Sequence, residues 1–160
     1  MLQRLQTVYL LAIMAICLML STGTLITSIQ SVEGKVTQYT LGFIYFKMYE
    51  NGILISSSIQ YHLIGLLALV SGWTLNITFA YKNRVRQLKL AKINFIFIGS
   101  LIAALFVKAV MDIPGFTFAG QSMQSVFALA LLFFTAYLNM RAILLIKKDE
   151  ELVRSADRIR

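Results

Sequence analysis

The stretch that decides the fold is Tyr9–Leu20, YLLAIMAICLML, which carries no charged side chain and is almost wholly apolar. It lies within a longer run, Leu5–Val32, that contains no Asp, Glu, Lys or Arg. A helix of about 20 apolar residues crosses the hydrocarbon core of a bilayer. The run therefore predicts a membrane-spanning helix over about residues 7–29.

Three further apolar runs are long enough to cross a membrane. They predict spans over about residues 59–81, 93–111 and 121–145. Within these spans the charged residues are Lys108 and, near the end of the last span, Arg141. The composition agrees, because 58% of the residues are apolar and 14% are charged, against about 45–50% and 25% in soluble domains. We expect one four-span membrane domain over residues 1–160, of the all-α class, built as a four-transmembrane-helix bundle.

The basic residues predict how this bundle is oriented. The net charge is +8, and the basic residues Lys35, Lys47 and Lys108 are the three that fall on one side of the predicted spans. The other twelve of the fifteen lie at the N-terminus, between spans two and three, and in the tail: Arg4, Lys82, Arg84, Arg86, Lys89, Lys92, Arg141, Lys147, Lys148, Arg154, Arg158 and Arg160. The positive-inside rule then places both termini in the cytoplasm. We expect a multi-pass protein of the bacterial inner (plasma) membrane. Since topology explains the charge, nothing favours a nucleic-acid partner.

The segment between the first two spans, residues 30–58, is the least typical of a membrane. Val36–Met48, VTQYTLGFIYFKM, is rich in β-branched and aromatic residues, and Asn51-Gly52 is a hairpin-turn signal. This pattern predicts a small extracytoplasmic β-hairpin or sheet of two or three strands. The alternative is a loop that dips into the lipid headgroups through aromatic residues, namely Phe43, Tyr45 and Phe46.

The tail, residues 146–160, predicts a cytoplasmic amphipathic C-terminal helix. Its apolar residues recur at helical spacing and form one stripe: Ile146, Leu152, Val153, Ala156 and Ile159. Three interpretations stay open. The tail is a solvated extension of span four, a helix lying on the anionic inner leaflet, or a helix that docks onto a partner protein.

Polar residues near the predicted cytoplasmic ends of the spans are the candidate contacts for lipid or a protein partner. Asn76, Asn94, Asn139 and Arg141 fall at similar depth. They predict either an interhelical hydrogen-bonded cluster or a pocket in which Arg141 binds a lipid phosphate or a partner carboxylate. The tail adds two further candidate contacts, Arg154 and Arg158.

A second polar pair is predicted at the outer boundary of span three. Lys108 and Asp112 are four residues apart, so one helical face carries both. They are expected to anchor the helix end as an ion pair, or else to form a substrate or ion gate.

The residues that support catalysis in membranes are largely missing from the sequence. Cys17 is the single Cys and His62 the single His, whereas thiol exchange needs a resolving second thiol and haem in a bundle commonly takes two axial ligands. We predict no catalytic residue, no cofactor-binding residue, no metal site and no cofactor, and we expect that the protein is not an enzyme.

Both ends of the chain resemble a known family. MLQRLQTVYLLA, Met1–Ala12, and KKDEELVRSADRIR, Lys147–Arg160, are similar to an uncharacterised family of small four-span inner-membrane proteins of Bacteroidota, a domain of unknown function. The resemblance implies four helices in the plasma membrane and supplies no activity.

Three functions are compatible with these features. The leading hypothesis is a non-catalytic accessory or assembly subunit of a membrane complex, whose partners are the phospholipid bilayer, anionic lipids at the cytoplasmic face and protein in the membrane. The second is a small oligomeric transporter or channel, with Lys108, Asp112, His62, Asn76 and Asn94 as candidate pathway residues. The weakest is a lipid- or quinone-handling protein, because the sequence offers no acid–base pair for such chemistry.

Overall fold

A computed structural model describes residues 2–32, 35–117 and 121–157. The order of elements is α1 (Leu2–Thr22), β1 (Thr24–Val32), β2 (Lys35–Gly42), β3 (Tyr45–Glu50), β4 (Ile53–Ile59), α2 (Tyr61–Phe79), α3 (Arg84–Asp112) and α4 (Met123–Asp157). A short 3₁₀ turn, Ala80–Lys82, connects α2 to α3.

The predicted all-α class is wrong, because the four strands form one antiparallel sheet in the order β1-β2-β3-β4. The sheet has four strands, more than the two or three expected. The alternative of a loop dipping into the headgroups does not hold for Tyr45 and Phe46, which lie in the paired strand β3, while Phe43 lies in the connection from β2 to β3. The fold is a helical bundle with a four-stranded meander inserted between its first two helices.

The extra strand lies where the sequence predicted the end of the first span. Helix α1 ends at Thr22, and β1 begins two residues later at Thr24. The β1–β2 register shifts between Thr24 and Ile26. This bulge lets the successive side chains of Leu25 and Ile26 both be fully buried, whereas a regular strand would alternate them between its two faces.

The predicted hairpin turn at Asn51-Gly52 is present and joins β3 to β4. Both residues have positive φ, 49° for Asn51 and 83° for Gly52, as the favoured two-residue hairpin turns require. The Asn51 backbone N–H donates to Val36 O at 2.8 Å, and the Val36 N–H donates to Asn51 Oδ1 at 3.1 Å. The turn is thereby attached to the start of β2.

The four helices pack in sequence order around a common core, with α4 returning to contact α1. Each contributes a row of buried residues at alternating spacings of three and four, which is typical of neighbouring antiparallel helices. On α1 the row is Gln6, Leu10, Ile13, Cys17 and Leu20; on α3 it is Gln87, Ala91, Asn94, Ile98, Leu101, Leu105 and Ala109.

The sheet sits at one end of this bundle, which we call the sheet end; the opposite end, with the first residues of α1 and the last of α4, is the termini end. Leu41 and Phe43 are fully buried and belong to the same core as the helices. The β1 backbone is tied to α4, since the Thr27 N–H donates to Ser125 Oγ at 3.0 Å. The Gln30 side chain donates to the carbonyl of Pro114 beyond α3.

All four helices are long and apolar enough to cross a membrane. Only 28–33% of the residues in each apolar window are buried inside the chain. The outer faces instead carry large apolar side chains such as Leu18, Phe95, Val107 and Phe127. A surface of this kind is consistent with a multi-pass membrane protein, because soluble proteins rarely expose apolar patches of this extent.

Candidate functional site: a buried polar cluster between three helices

Two asparagines, Asn94 on α3 and Asn139 on α4, meet in the core of the bundle and are both fully buried. The Asn94 Nδ2 group donates to Asn139 Oδ1 at 3.1 Å, and Asn139 Nδ2 donates to the carbonyl of Ala91 at 3.0 Å. The two amides therefore join α3 to α4 through a pair of side-chain hydrogen bonds.

Thr74 extends this contact to α2. Its hydroxyl donates to the Val70 carbonyl of its own helix at 2.7 Å and accepts a hydrogen bond from Asn94 Nδ2 at 3.1 Å. Thr74, Asn94 and Asn139, which we call the amide cluster, thus connect three helices. The Asn94 Oδ1 atom has no hydrogen-bond partner among the described residues.

The helical phase explains why these side chains point inward. On α2, Thr74 follows the buried residues Leu63, Leu67 and Val70 at spacings of three and four. Asn94 occupies the equivalent row on α3. In membrane helices an inward polar residue finds partners across helices, because the surrounding lipid offers none.

Further polar contacts hold α2 against α3 beside the amide cluster. Gln87 Nε2 donates to the Ile77 carbonyl at 3.2 Å. The indole Nε1 of Trp73 donates to the Leu90 carbonyl at 3.2 Å. The Trp73 ring also packs edge-on against Phe97, with 5.3 Å between centroids. Along α3, the buried residues up to Asn94 thus include the polar side chains of Gln87 and Asn94, whereas the buried residues beyond Asn94 are apolar.

At the termini end an ion pair joins the first turn of α3 to the C-terminal part of α4. Arg84 Nε lies 2.9 Å from Asp149 Oδ2, and the two side chains are 27% and 14% exposed. Sequence reasoning missed this pair. A signal was available, because Asp149 follows the buried residues Ala142 and Ile146 at spacings of four and three.

The structure brings together two of the predicted cytoplasmic-side residues, Asn94 and Asn139, and leaves others apart. Asn76 and Arg141 lie on exposed faces of their helices. Arg154 lies on α4, but its side chain is outside the described residues, as is the whole of Arg158. Their predicted role in lipid or partner binding stays a prediction.

The predicted outer pair is present as an ion pair at the sheet end. Lys108 Nζ lies 2.8 Å from Asp112 Oδ2, and the two side chains are 23% and 22% exposed. A further Lys108–Asp112 contact, to Oδ1, measures 3.1 Å. Each charge is neutralised by the other, and the pair ends α3, whose last residue is Asp112.

The amide cluster contains hydrogen-bonding groups and no ionisable side chain, so its evident chemistry is the fixing of helix positions. Cys17 is buried in α1, and His62 is exposed in the first turn of α2. Across residues 2–32, 35–117 and 121–157, no group of three His, Cys, Asp or Glu residues could hold a metal ion.

The fold defines a class: a four-helix bundle with helices suited to crossing a membrane, polar contacts inside it, and a sheet at one end. Within that class the chain belongs to the family described as Domain of unknown function (DUF4293), which matches residues 2–159. The predicted resemblance to a domain of unknown function is therefore confirmed. A comparison with curated proteins finds no match for the chain.

Proposed function

We propose that this protein is a non-catalytic integral membrane protein that serves as an accessory or assembly subunit of a membrane complex. Its helices form the membrane anchor, and its sheet forms the contact surface on the far side from the termini. The observation that carries the proposal is the exposed edge strand β4.

The outward apolar faces of the four helices support membrane embedding. The distribution of basic residues supports an orientation with both termini in the cytoplasm, because Arg84, Arg86 and Lys89 lie at the same end of the bundle as the C-terminal part of α4. In this orientation the sheet faces away from the cytoplasm, and an inner (plasma) membrane location accounts for both features.

Strand β4 is the free edge of the sheet, since it pairs with β3 and is last in the strand order. All seven of its residues, ILISSSI, are exposed, including Ile53 at 72% and Ile55 at 54%. Natural sheets protect such edges with charges, Pro or short strands, because an open edge recruits another strand. Ile53–Ile59 contains neither charge nor Pro.

The occupant that this edge fits is an extended segment of a different membrane-complex subunit, added as a fifth strand. Backbone hydrogen bonds along β4 would supply affinity, and its exposed apolar side chains, Ile53, Leu54, Ile55 and Ile59, would supply apolar contacts. A neighbour anchored in the same membrane is held close to β4, so even a short strand would bind.

The transporter alternative receives less support from the geometry. Asn94 is bonded to Thr74 and Asn139, and Lys108 is paired with Asp112. These candidate pathway groups therefore make their hydrogen bonds and ion pairs with other residues of the chain, as anchoring and packing residues do.

Site-specific photo-crosslinking in native membranes tests the proposal. A photoreactive amino acid replaces Ser57 on β4, and a matched control replaces Val107, an exposed residue on the apolar face of α3. We expect one discrete heterologous adduct from position 57 and none from position 107. Mass spectrometry should map the adduct to one short segment of one membrane protein.

A second variant, Ile55→Lys, places a charge on the edge and should abolish the adduct without lowering the amount of protein in the membrane. The proposal fails if position 57 gives no adduct, if the adduct is a dimer of this chain, or if Ile55→Lys leaves the adduct unchanged.

A further inference from the structure

A groove of about 450 Å³ lies on the face of the sheet that is turned away from the core. Its lining comes from the end of α1, the α1–β1 connection and strands β2 and β3, and includes Thr22, Gln38, Gly42, Tyr45, Lys47 and Tyr49. This volume falls within the range of small-molecule sites. It is far larger than a single inorganic ion requires.

The sheet register places the polar lining on one face. Gln38 pairs with Tyr49 and Thr40 pairs with Lys47, so these residues alternate with the side chains of Tyr39 and Phe46, which pack against the core. The Thr40 hydroxyl donates to the Lys47 carbonyl at 3.3 Å and fastens the two strands beneath the groove.

The close approach of two glycines forms one end of the groove. A Cβ atom on Gly42 would lie 2.8 Å from the carbonyl oxygen of Gly23, closer than real contacts allow. Because Gly42 has no side chain, the end of β2 approaches the α1–β1 connection, and both segments line the same groove.

Among the described residues that line the groove, Lys47 is the charged one and none is a carboxylate. Its ammonium lies 5.5 Å from the centre of the Tyr45 ring. The carboxylate nearest along β3, Glu50, belongs to the opposite face and is paired with Lys35 at 3.0 Å. Among the described residues, no carboxylate is therefore paired with Lys47.

We propose that this groove binds a phosphoryl group, with Lys47 as its cation and polar groups such as the Gln38 amide and the Tyr49 phenol as further donors. A partly buried ammonium without a counter-ion favours an anion, and charge-assisted hydrogen bonds to phosphate oxygens are among the stronger polar contacts in proteins.

The source of the phosphoryl group is a phospholipid headgroup. The groove begins where α1 ends, at Ser21–Gly23, so a membrane crossed by α1 would hold its headgroups at that level. The assignment of a phospholipid as the source rests on the membrane embedding proposed above, whereas anion binding in the groove does not depend on it. Phosphoryl binding without lipid selectivity would therefore overturn the lipid source alone.

Native mass spectrometry of the detergent-solubilised protein tests the site by titration with dioleoylphosphatidylglycerol, and with dioleoylglycerol, which lacks the phosphate. We expect the phospholipid to bind at least tenfold more tightly than dioleoylglycerol. Lys47→Gln should weaken phospholipid binding about tenfold, the loss of one charge-assisted contact, and Lys47→Arg should restore most of it.

Lys35→Gln is the matched control, since Lys35 belongs to the same sheet but lies on the other face and is 70% exposed. It should leave binding unchanged. The site is overturned if Lys47→Gln binds like the unmodified protein, if Lys35→Gln weakens binding equally, or if dioleoylglycerol binds as tightly as the phospholipid. Displacement of the lipid by an equal concentration of glycerol 3-phosphate would overturn the lipid source and leave the phosphoryl site standing.

Discussion

Removing the Asn139 amide should loosen the contact between α3 and α4 by a predictable amount. The amide makes two hydrogen bonds, with Asn94 Nδ2 at 3.1 Å and with the Ala91 carbonyl at 3.0 Å. Interhelical hydrogen bonds in membrane proteins contribute about 0.6 kcal/mol on average. Asn139→Leu, which keeps a similar volume, should therefore lower the free energy of unfolding by about 1 kcal/mol.

The coupling energy between the two asparagines tests their hydrogen bond more specifically than the loss of stability in either single variant. In a double-mutant cycle with Asn94→Leu and Asn139→Leu, the interaction energy should be about 0.6 kcal/mol and at most about 1.7 kcal/mol. The double variant should lose less stability than the two single variants lose in total, because no amide is then left facing a leucine.

Reversible unfolding in mixed micelles with increasing sodium dodecyl sulfate measures these energies. Trp73 is the single Trp of the chain and reports on the α2–α3 contact through its bond to the Leu90 carbonyl. Asn76→Leu is the matched control, because Asn76 is exposed on α2, and it should change stability by less than about 0.5 kcal/mol. The reasoning is refuted if Asn139→Leu is no more destabilising than Asn76→Leu, or if the cycle shows no coupling.

Two further predictions concern the sheet and the termini end. Gly42→Ala should destabilise the fold by about 1–3 kcal/mol in the same unfolding assay, because its methyl group would overlap the Gly23 carbonyl. Gly72→Ala in α2 is the control and should be neutral or stabilising, because its Cβ would meet nothing within 4 Å. Equal effects of the two substitutions on stability would contradict this reasoning. Arg84→Gln should leave Asp149 without its ion-pair partner and raise amide hydrogen exchange in the C-terminal part of α4; unchanged exchange there would show that the pair does not hold α4 against α3.

Much of the helical part of the fold was predictable because uncharged length is a strong signal. The four helices occupy the four predicted regions, although α3 begins at Arg84 and α4 continues to Asp157. The exception was β1. Its residues, TLITSIQSV, continue an uncharged run, and hydropathy does not distinguish a buried strand from the end of a helix. The β-branched Thr24, Ile26, Thr27 and Ile29 after Gly23 were the local clue that a strand begins there.

For the polar site, the depth of each side chain along its helix was predictable from sequence, but the side of the helix that it faces was less so. Matching depths along antiparallel helices identified Asn94 and Asn139, which the structure brings to 3.1 Å of each other. Depth alone also suggested Asn76, but the row Leu63, Leu67, Val70 and Ile77 turns Thr74 inward instead. A hydroxyl inside a helix is common and did not stand out. The groove on the sheet needed the register of β2 and β3, which sequence did not provide.

The placement of the sheet and of the α4 C-terminal part on opposite sides of a membrane is the central claim, and cysteine labelling tests it most directly. In a Cys17→Ser background, single cysteines are introduced at Ser57 on β4 and at Ser155 on α4, both exposed. Spheroplasts and inside-out vesicles are then treated with a membrane-impermeant maleimide. We expect Ser57→Cys to be labelled in spheroplasts and Ser155→Cys only in inside-out vesicles. Labelling of both positions from the same side would contradict the account.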